Sequence, residues 1–385
     1  MLIATDTTTI RERSQPFVES VHFCCIESRQ SSSIASTSIM SFTVTTTRES
    51  LVVNLRKSEL PRSVIRATAE DVQHRAPRAF SSLTAFIKSL WLFTESDVPT
   101  FVVPDTCFGI LGAMSGSFLT TNSNPDMLAI LLRTPLVGHY VWMNLLIFDL
   151  ANQRLPEAVV EDKIHKPWRP IPTGQMTTTQ ARRLMLATLP VVFGLSWAMG
   201  VWKETVILFT LTWMYNDLKG GDEDFIVRNV IICAAFAFYN EGALRVACGS
   251  GHFPTAEGGY VWTAIISGVI LTTMQTQDIK DQLGDKVKGT RTTPLVLGDT
   301  AARWTIAIPV MVWSLVCPLF WGNGILRSSV CIGLGSLIFA RVLLLKEPKA
   351  DKTSWVIWAG WLCWLYLIPA EKPITTAVTQ LLEKS

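Results

Sequence analysis

Beginning at Ser89, "SLWLFTESDVPTFVVPDTCFGILGAM" opens a succession of apolar stretches along the chain. Several approach the roughly 20 residues that a helix needs to cross the hydrocarbon core of a bilayer. Nine spans are expected, at about 97–120, 128–151, 183–201, 203–216, 229–248, 259–278, 303–321, 325–345 and 354–370. The expected fold is therefore all-α and integral to the membrane, one bundle of about nine transmembrane helices. At 385 residues the chain is long enough for two soluble domains, but 49% hydrophobic against 17% charged residues argues for the membrane instead. A net charge of +3 gives no case for a nucleic-acid partner.

Residues 1–85 differ. They are rich in Ser and Thr, "SSSIASTSIMSFTVTTT" (31–47) is low in complexity, and no hydrophobic period is sustained. Disorder is expected there, with 86–385 forming the transmembrane domain. No apolar h-region follows a basic start, so a secretory signal is not expected. Asp6, Glu12, Glu19 and Glu27 argue against an organelle transit peptide. The eight cysteines form no CxxC and no framework. They are expected as small buried side chains, without disulfides or structural zinc.

Charge sets the orientation. The loops after the second, fourth, sixth and eighth spans carry the basic residues, among them Arg154, Lys166, Arg169, Lys219, Lys280 and Lys349. The opposite loops hold little beyond Lys203 and Arg327. The excess of Lys and Arg places the first set, and the N-terminus, in the cytoplasm. The second and sixth spans both end in Asp-containing sequence followed by a basic loop. They lie four spans apart, so both ends emerge on one side.

The sixth span ends in "QTQDIKDQLGDKVKGTRTTPLVLG" (275–298). Asp278, Asp281 and Asp285 are spaced i, i+3, i+7 and share one helical face. Oxygen-only ligands suit Mg²⁺, which one or two carboxylates hold together with substrate phosphate. Lys280, Lys286, Lys288 and Arg291 are near enough in sequence to hold the remaining phosphate oxygens. The bland alternative is a solvated helix end of mixed charge.

The second span ends in "NLLIFDLANQ" (144–153). Asp149 and Asn152 share a face, whereas Asn144 lies about 140° from Asp149 on a regular helix and joins them only through a break or a π-bulge. Glu161 and Asp162 follow, then Lys166 and Arg169 among Pro167, Pro170 and Pro172, which stiffen the loop and aim its cations. "TGQMTTTQARR" (173–183) predicts a turn and an N-cap for the third span. An ordinary cytoplasmic loop is the bland alternative. Together the two acidic ends make a two-sided clamp for Mg²⁺ and diphosphate.

Over about residues 90–370 the chain resembles the UbiA superfamily of intramembrane isoprenoid enzymes. "DQLGD" (281–285) resembles the family's second aspartate-rich motif, and "KGTRTTPLVLG" resembles its continuation. "HKPWRPIPTG" (165–174) resembles the family's basic segment, and "YNDLKG" (215–220) its short Tyr/Lys segment. The first motif departs from the usual NDxxDxxxD, since only one carboxylate, Asp149, survives. That reduction, with "LWLFTESDVPTFVVPDT", resembles a fungal branch that includes membrane-bound terpene cyclases.

The resemblance implies an enzyme using Mg²⁺ and an isoprenoid diphosphate in the lipid bilayer, with the endoplasmic reticulum as its membrane and other enzymes of a biosynthetic pathway as partners. Asp149, Asn152, Asp278, Asp281 and Asp285 would hold the metal, with Asp149, Asp281 and Asp285 essential to turnover. Lys166, Arg169, Lys219, Lys280 and Arg291 would neutralise the diphosphate. Tyr215, Asn144, Asn240 and Glu241 are further candidates. Cyclisation of farnesyl diphosphate to a sesquiterpene is the expected reaction, with transfer of a prenyl group to an aromatic acceptor as the alternative. A transporter fits less well, because transporters carry charge near the midplane and here it gathers at helix ends.

Other features have plainer readings. Glu241 and Arg245 are i, i+4 within the fifth span and read as an internal ion pair, or else as cavity wall. The tryptophans, including the run Trp355, Trp358, Trp361 and Trp364, read as interface or packing residues, with a few lining the cavity. His139 and His165 lack metal-ligand partners and read as structural.

Overall fold

The computed structural model describes residues 46–47, 50–51, 83–249, 253–322 and 325–384. The chain divides into two units, Met1–Glu59 and Leu60–Ser385. In the first, strands β1 (Thr46–Thr47) and β2 (Ser50–Leu51) pair antiparallel. The rest of the segment expected to be disordered, up to residue 82, lies outside the described residues.

The described part of the second unit is helical, apart from an isolated bridge between Thr120 and Thr255. Its main elements are α1 (Leu83–Thr94), α2 (Val103–Met114), α3 (Thr134–Gln153), α4 (Pro156–His165), α5 (Thr178–Ala198) and α6 (Trp202–Asn216). Then come α7 (Phe225–Ala247), α8 (Glu257–Thr273), α9 (Thr276–Lys288), α10 (Asp299–Phe320), α11 (Ile325–Leu344), α12 (Pro348–Leu367) and α13 (Glu371–Lys384).

Local chemistry explains the boundaries. The expected N-cap is present at α5, where Thr177 and Gln180 form a reciprocal capping box. The first expected span is not one regular helix. A π-helical turn, Val98–Val102, precedes α2, and Val103 N–H bonds to the Val98 carbonyl. Pro104 has no amide with which to continue a regular ladder, so the turn widens by one residue. Gly289, at φ +85°, ends α9, with its N–H bonded to the Asp285 carbonyl.

Among the described residues, four helical stretches are long and apolar enough to cross a membrane: Met127–Gln153, Phe225–Ala247, Asp299–Phe320 and Pro348–Thr376. Val98–Met114 and Ser328–Leu344 are apolar but shorter. Apolar side chains also face outward, among them Leu186 and Val191 on α5 and Ile308, Leu315 and Leu319 on α10. In water so much exposed apolar surface would be a liability, and against lipid it is not.

Inside, Trp262, Trp358 and Trp361 are fully buried. Trp358 donates to Thr273 Oγ1 at 2.9 Å and Trp361 to Ser314 Oγ at 3.0 Å, so both are packing residues rather than an interface belt. Close approach of α2 and α7 requires glycine, since a Cβ at Gly109 would lie 2.7 Å from the Ala243 carbonyl carbon. The expected pairing of Glu241 with Arg245 is not formed. Arg245 instead meets Glu204 at 2.9 Å, while Glu241 accepts from Thr255 Oγ1 at 2.7 Å. Cys107, Cys233, Cys248, Cys317, Cys331 and Cys363 are free thiols.

Candidate active site

The ends of α3 and α9 meet at a cavity of about 530 Å³. Around its mouth stand Asp149 and Asn152 of α3, Asp278, Lys280, Asp281 and Asp285 of α9, and Lys166 and Arg169 of the proline-stiffened loop. Two helix ends far apart in sequence, each acidic and each followed by cations, thus serve one space. Farther in, the wall turns apolar and aromatic, with Phe101, Leu145, Phe148, Leu208, Ile232 and Tyr239.

The cations differ in how far they are already engaged. Arg169 is 4% exposed and forms a staple. Its Nη1 bonds to Asp162 Oδ1 at 2.9 Å, and its Nη2 bonds to Asp97 Oδ2 at 2.8 Å and to Ser96 Oγ at 2.9 Å. Both of its Nη groups are thus engaged by protein side chains, whereas its Nε has no partner. Lys166 lies 3.9 Å from Asp97 and Lys280 pairs with Asp281. Arg228, of α7, joins Asp278 at 2.9 Å and lies over the Tyr215 ring at 5.5 Å. Lys288 meets Glu161 at 3.3 Å and Asp222 at 3.7 Å.

The carboxylates retain unused capacity. Asp149 Oδ2, Asp278 Oδ2 and Asp285 Oδ2 are buried and have no hydrogen-bond partner. Burial first, then the charge of Asp278, push the Asp285 carboxyl up to about 8. Asp281 goes the other way: burial opposes its charge, but Lys280 and Lys166 outweigh burial and hold it below the usual range. Asn152 is held by Asn216, donating from Nδ2 at 2.9 Å. His165 accepts the Gly284 N–H at 2.8 Å, a structural role that fixes α4 against α9.

Among the described residues no group of three or more His, Cys, Asp or Glu stands close enough to hold a metal ion unaided. Orphaned carboxylate oxygens beside cations fit a different arrangement. One or two carboxylates would share Mg²⁺ with phosphate oxygens, which is how that ion is commonly bound.

Several expected site residues lie outside the cavity lining. Lys219 is left-handed at φ 61° and pairs with Glu157 at 3.3 Å. Arg291 has a largely exposed side chain, 3.8 Å from Asp224. Asn144 is buried and donates to the Tyr140 carbonyl at 2.9 Å, because α3 runs regularly through it. Asn240 and Glu241 lie on α7 away from the lining, whereas Tyr215 belongs to it. Lys288, expected near the phosphate oxygens, lines the cavity, and so do Asp97, Glu161, Asp162 and Arg228, which were not among the expected metal or diphosphate ligands. Arg228 flanks an apolar helix outside the quoted motifs, and Asp97 lies within the 90–106 stretch without a role expected for it.

Residues 109–364 match the UbiA prenyltransferase family. The chain belongs to that family. Membership makes it an enzyme of prenyl diphosphates. Among UbiA relatives, the fumagillin β-trans-bergamotene synthase of Aspergillus fumigatus is 24% identical over 290 residues, 74% of this chain and 92% of that protein. A polyprenyl transferase of Hericium erinaceus is 25% identical over 300 residues, 75% of this chain and 96% of that one. The fold is similar to that of a UbiA homologue from Archaeoglobus fulgidus bound to GPP and Mg²⁺. The TM-score is 0.53 at 13% identity, covering 75% of this chain and 99% of that chain.

Proposed function

We propose that this UbiA protein is a membrane-bound terpene cyclase that ionises an isoprenoid diphosphate, farnesyl diphosphate by preference, and closes the allylic cation into a sesquiterpene. The observation that carries this reading is the polarity of one continuous cavity. Orphaned carboxylates and cations stand at one end, and an apolar, aromatic wall at the other. The similarity to a bergamotene synthase supports cyclisation.

Lys166, Lys280 and Arg228 orient the diphosphate and stabilise negative charge as it develops on the leaving oxygen. Asp149 and Asp285 are the principal metal ligands, with Asp278, Asp281 and Asn152 completing the set. Mg²⁺, when bound, adds positive charge at the leaving group. Arg169 holds the loop that presents Lys166. The inner wall excludes water and folds the prenyl chain back on itself. Phe148 and Tyr215, with ring centroids 5.3 Å apart, and Trp355 present aromatic faces that attract a cation. Nine spans, the number suggested by the apolar stretches of the sequence, cross the endoplasmic reticulum membrane with the mouth of the cavity and the N-terminus cytoplasmic.

Microsomes containing the protein, given farnesyl diphosphate and Mg²⁺ without an acceptor, are expected to yield a cyclic hydrocarbon detectable by gas chromatography. Turnover that begins only when a phenolic acid is added would instead make the protein an aromatic prenyltransferase.

A further inference from the structure

Aligned on Asn144, the last aspartate of the usual NDxxDxxxD pattern falls on Asn152. The two side chains are not equivalent as metal ligands. A carboxylate presents oxygen whichever way its plane is turned. An amide presents oxygen on one side and an NH₂ donor on the other, so one orientation serves a cation and the other repels it. A site that replaces the acid by the amide therefore needs a further residue to choose between the two.

Asn216 stands in the right place to choose. It is the last residue of α6, is 2% exposed and does not line the cavity. Its Nδ2 donates to the Thr212 carbonyl at 3.0 Å. A backbone carbonyl can only accept, so this bond fixes which end of the Asn216 amide is which. The Oδ1 end is left for α3, and it accepts from Asn152 Nδ2 at 2.9 Å. Asn152 lines the cavity with Asp149. With its nitrogen engaged by Asn216, its oxygen is the end free for a ligand. Two directed hydrogen bonds thus run from a carbonyl of α6 through two amides and finish in an acceptor. The helices that carry them pack on each other, and just beyond them Arg154 pairs with Asp217, which ties the same two helix ends together.

We propose that Asn216 is a positioning residue for the metal, holding the Asn152 amide so that Oδ1 rather than Nδ2 is offered to the cation. The inference rests on the metal set given under the proposed function, and it applies to cyclisation and to prenyl transfer alike. A neutral oxygen then serves where the usual pattern has a carboxylate, and the geometry that a carboxylate has by symmetry is supplied by a neighbouring helix. Residues that orient a metal ligand in this way are commonly as necessary as the ligand.

The test is the affinity for Mn²⁺ in the presence of a farnesyl thiodiphosphate that does not ionise, read from the electron paramagnetic resonance signal of free Mn²⁺. Wild type, Asn216→Ala, Asn152→Ala and the double variant are compared in detergent. Asn216→Ala is expected to weaken Mn²⁺ binding by about tenfold or more, the usual range when a ligand loses its orienting partner. Asn152→Ala is expected to lose at least as much. The double variant is expected to lose no more than Asn152→Ala alone, because one residue acts through the other. A merely structural role would lower the melting temperature of Asn216→Ala and leave the affinity of the folded protein where it was, which overturns the inference. Losses that multiply in the double variant overturn it too, and leave the metal site standing. An unchanged affinity in both single variants removes Asn152 from the metal set and the inference with it. Where Asn216→Ala does not fold, Asn216→Asp still offers an acceptor to Asn152 Nδ2 and is expected to bind Mn²⁺ nearly as wild type does. A loss there as large as that of Asn152→Ala overturns the positioning role. Wild-type protein that takes up no Mn²⁺ with the thiodiphosphate overturns the proposed function itself.

Discussion

Asp149→Asn is expected to lower diphosphate release by about 10²- to 10³-fold, the usual loss when a preorganised electrostatic partner of the transition state is removed. The substitution is nearly isosteric at a side chain only 3% exposed, so α3 keeps its packing and the protein stays in the membrane. What disappears is charge. Asp149 is the one carboxylate in the 144–153 stretch, and its Oδ2 faces no donor that an amide would lose. Release rates, normalised to the amount of protein in the membrane fraction, measure the effect. A loss of less than tenfold would mean that α9 alone carries the metal and leaving group.

Arg169→Ala is expected to act on stability rather than on substrate affinity. Three partners hold the guanidinium, and its removal leaves the Asp162 carboxylate, itself 5% exposed, without its cation. Breaking a buried pair on one side costs about 3–5 kcal/mol. Burial already favours the neutral acid at Asp162, with Arg169 and Lys166 opposing it, so loss of Arg169 pushes this carboxyl further up. The variant should lose its melting transition several degrees earlier in detergent, and Asp162→Asn in the same background should recover part of the loss. If Arg169 gripped the diphosphate instead, KM would rise while the melting temperature stayed put.

The contrast between Arg169 and Asp149 shows how far the sequence could be read. Helix periodicity and the reduced motif were enough to bring Asp149, Asn152, Asp278, Asp281 and Asp285 to one space, because spacing along a helix fixes which side chains share a face. The capping box at Thr177 was legible because it is local. Cations are different. Their sequence position says which loop they occupy, and says nothing of which carboxylate they meet first. Arg169 meets Asp97, far away on the π-helical entry to α2, and Lys219 turns away through a left-handed backbone conformation. Arg228 sits beside Asp278 because α7 packs where it does, a fact of tertiary structure.

Joint binding of a metal and a diphosphate at the mouth of the cavity is central to the proposed function. The most direct measurement is a structure of the protein with Mn²⁺ and a farnesyl thiodiphosphate that does not ionise. A metal is expected within about 2.2 Å of a carboxylate oxygen of Asp149 or Asp285, in contact with the diphosphate, with the prenyl chain directed towards Tyr239. Metal or diphosphate bound away from both carboxylates, or a prenyl chain lying outside the cavity, would contradict it.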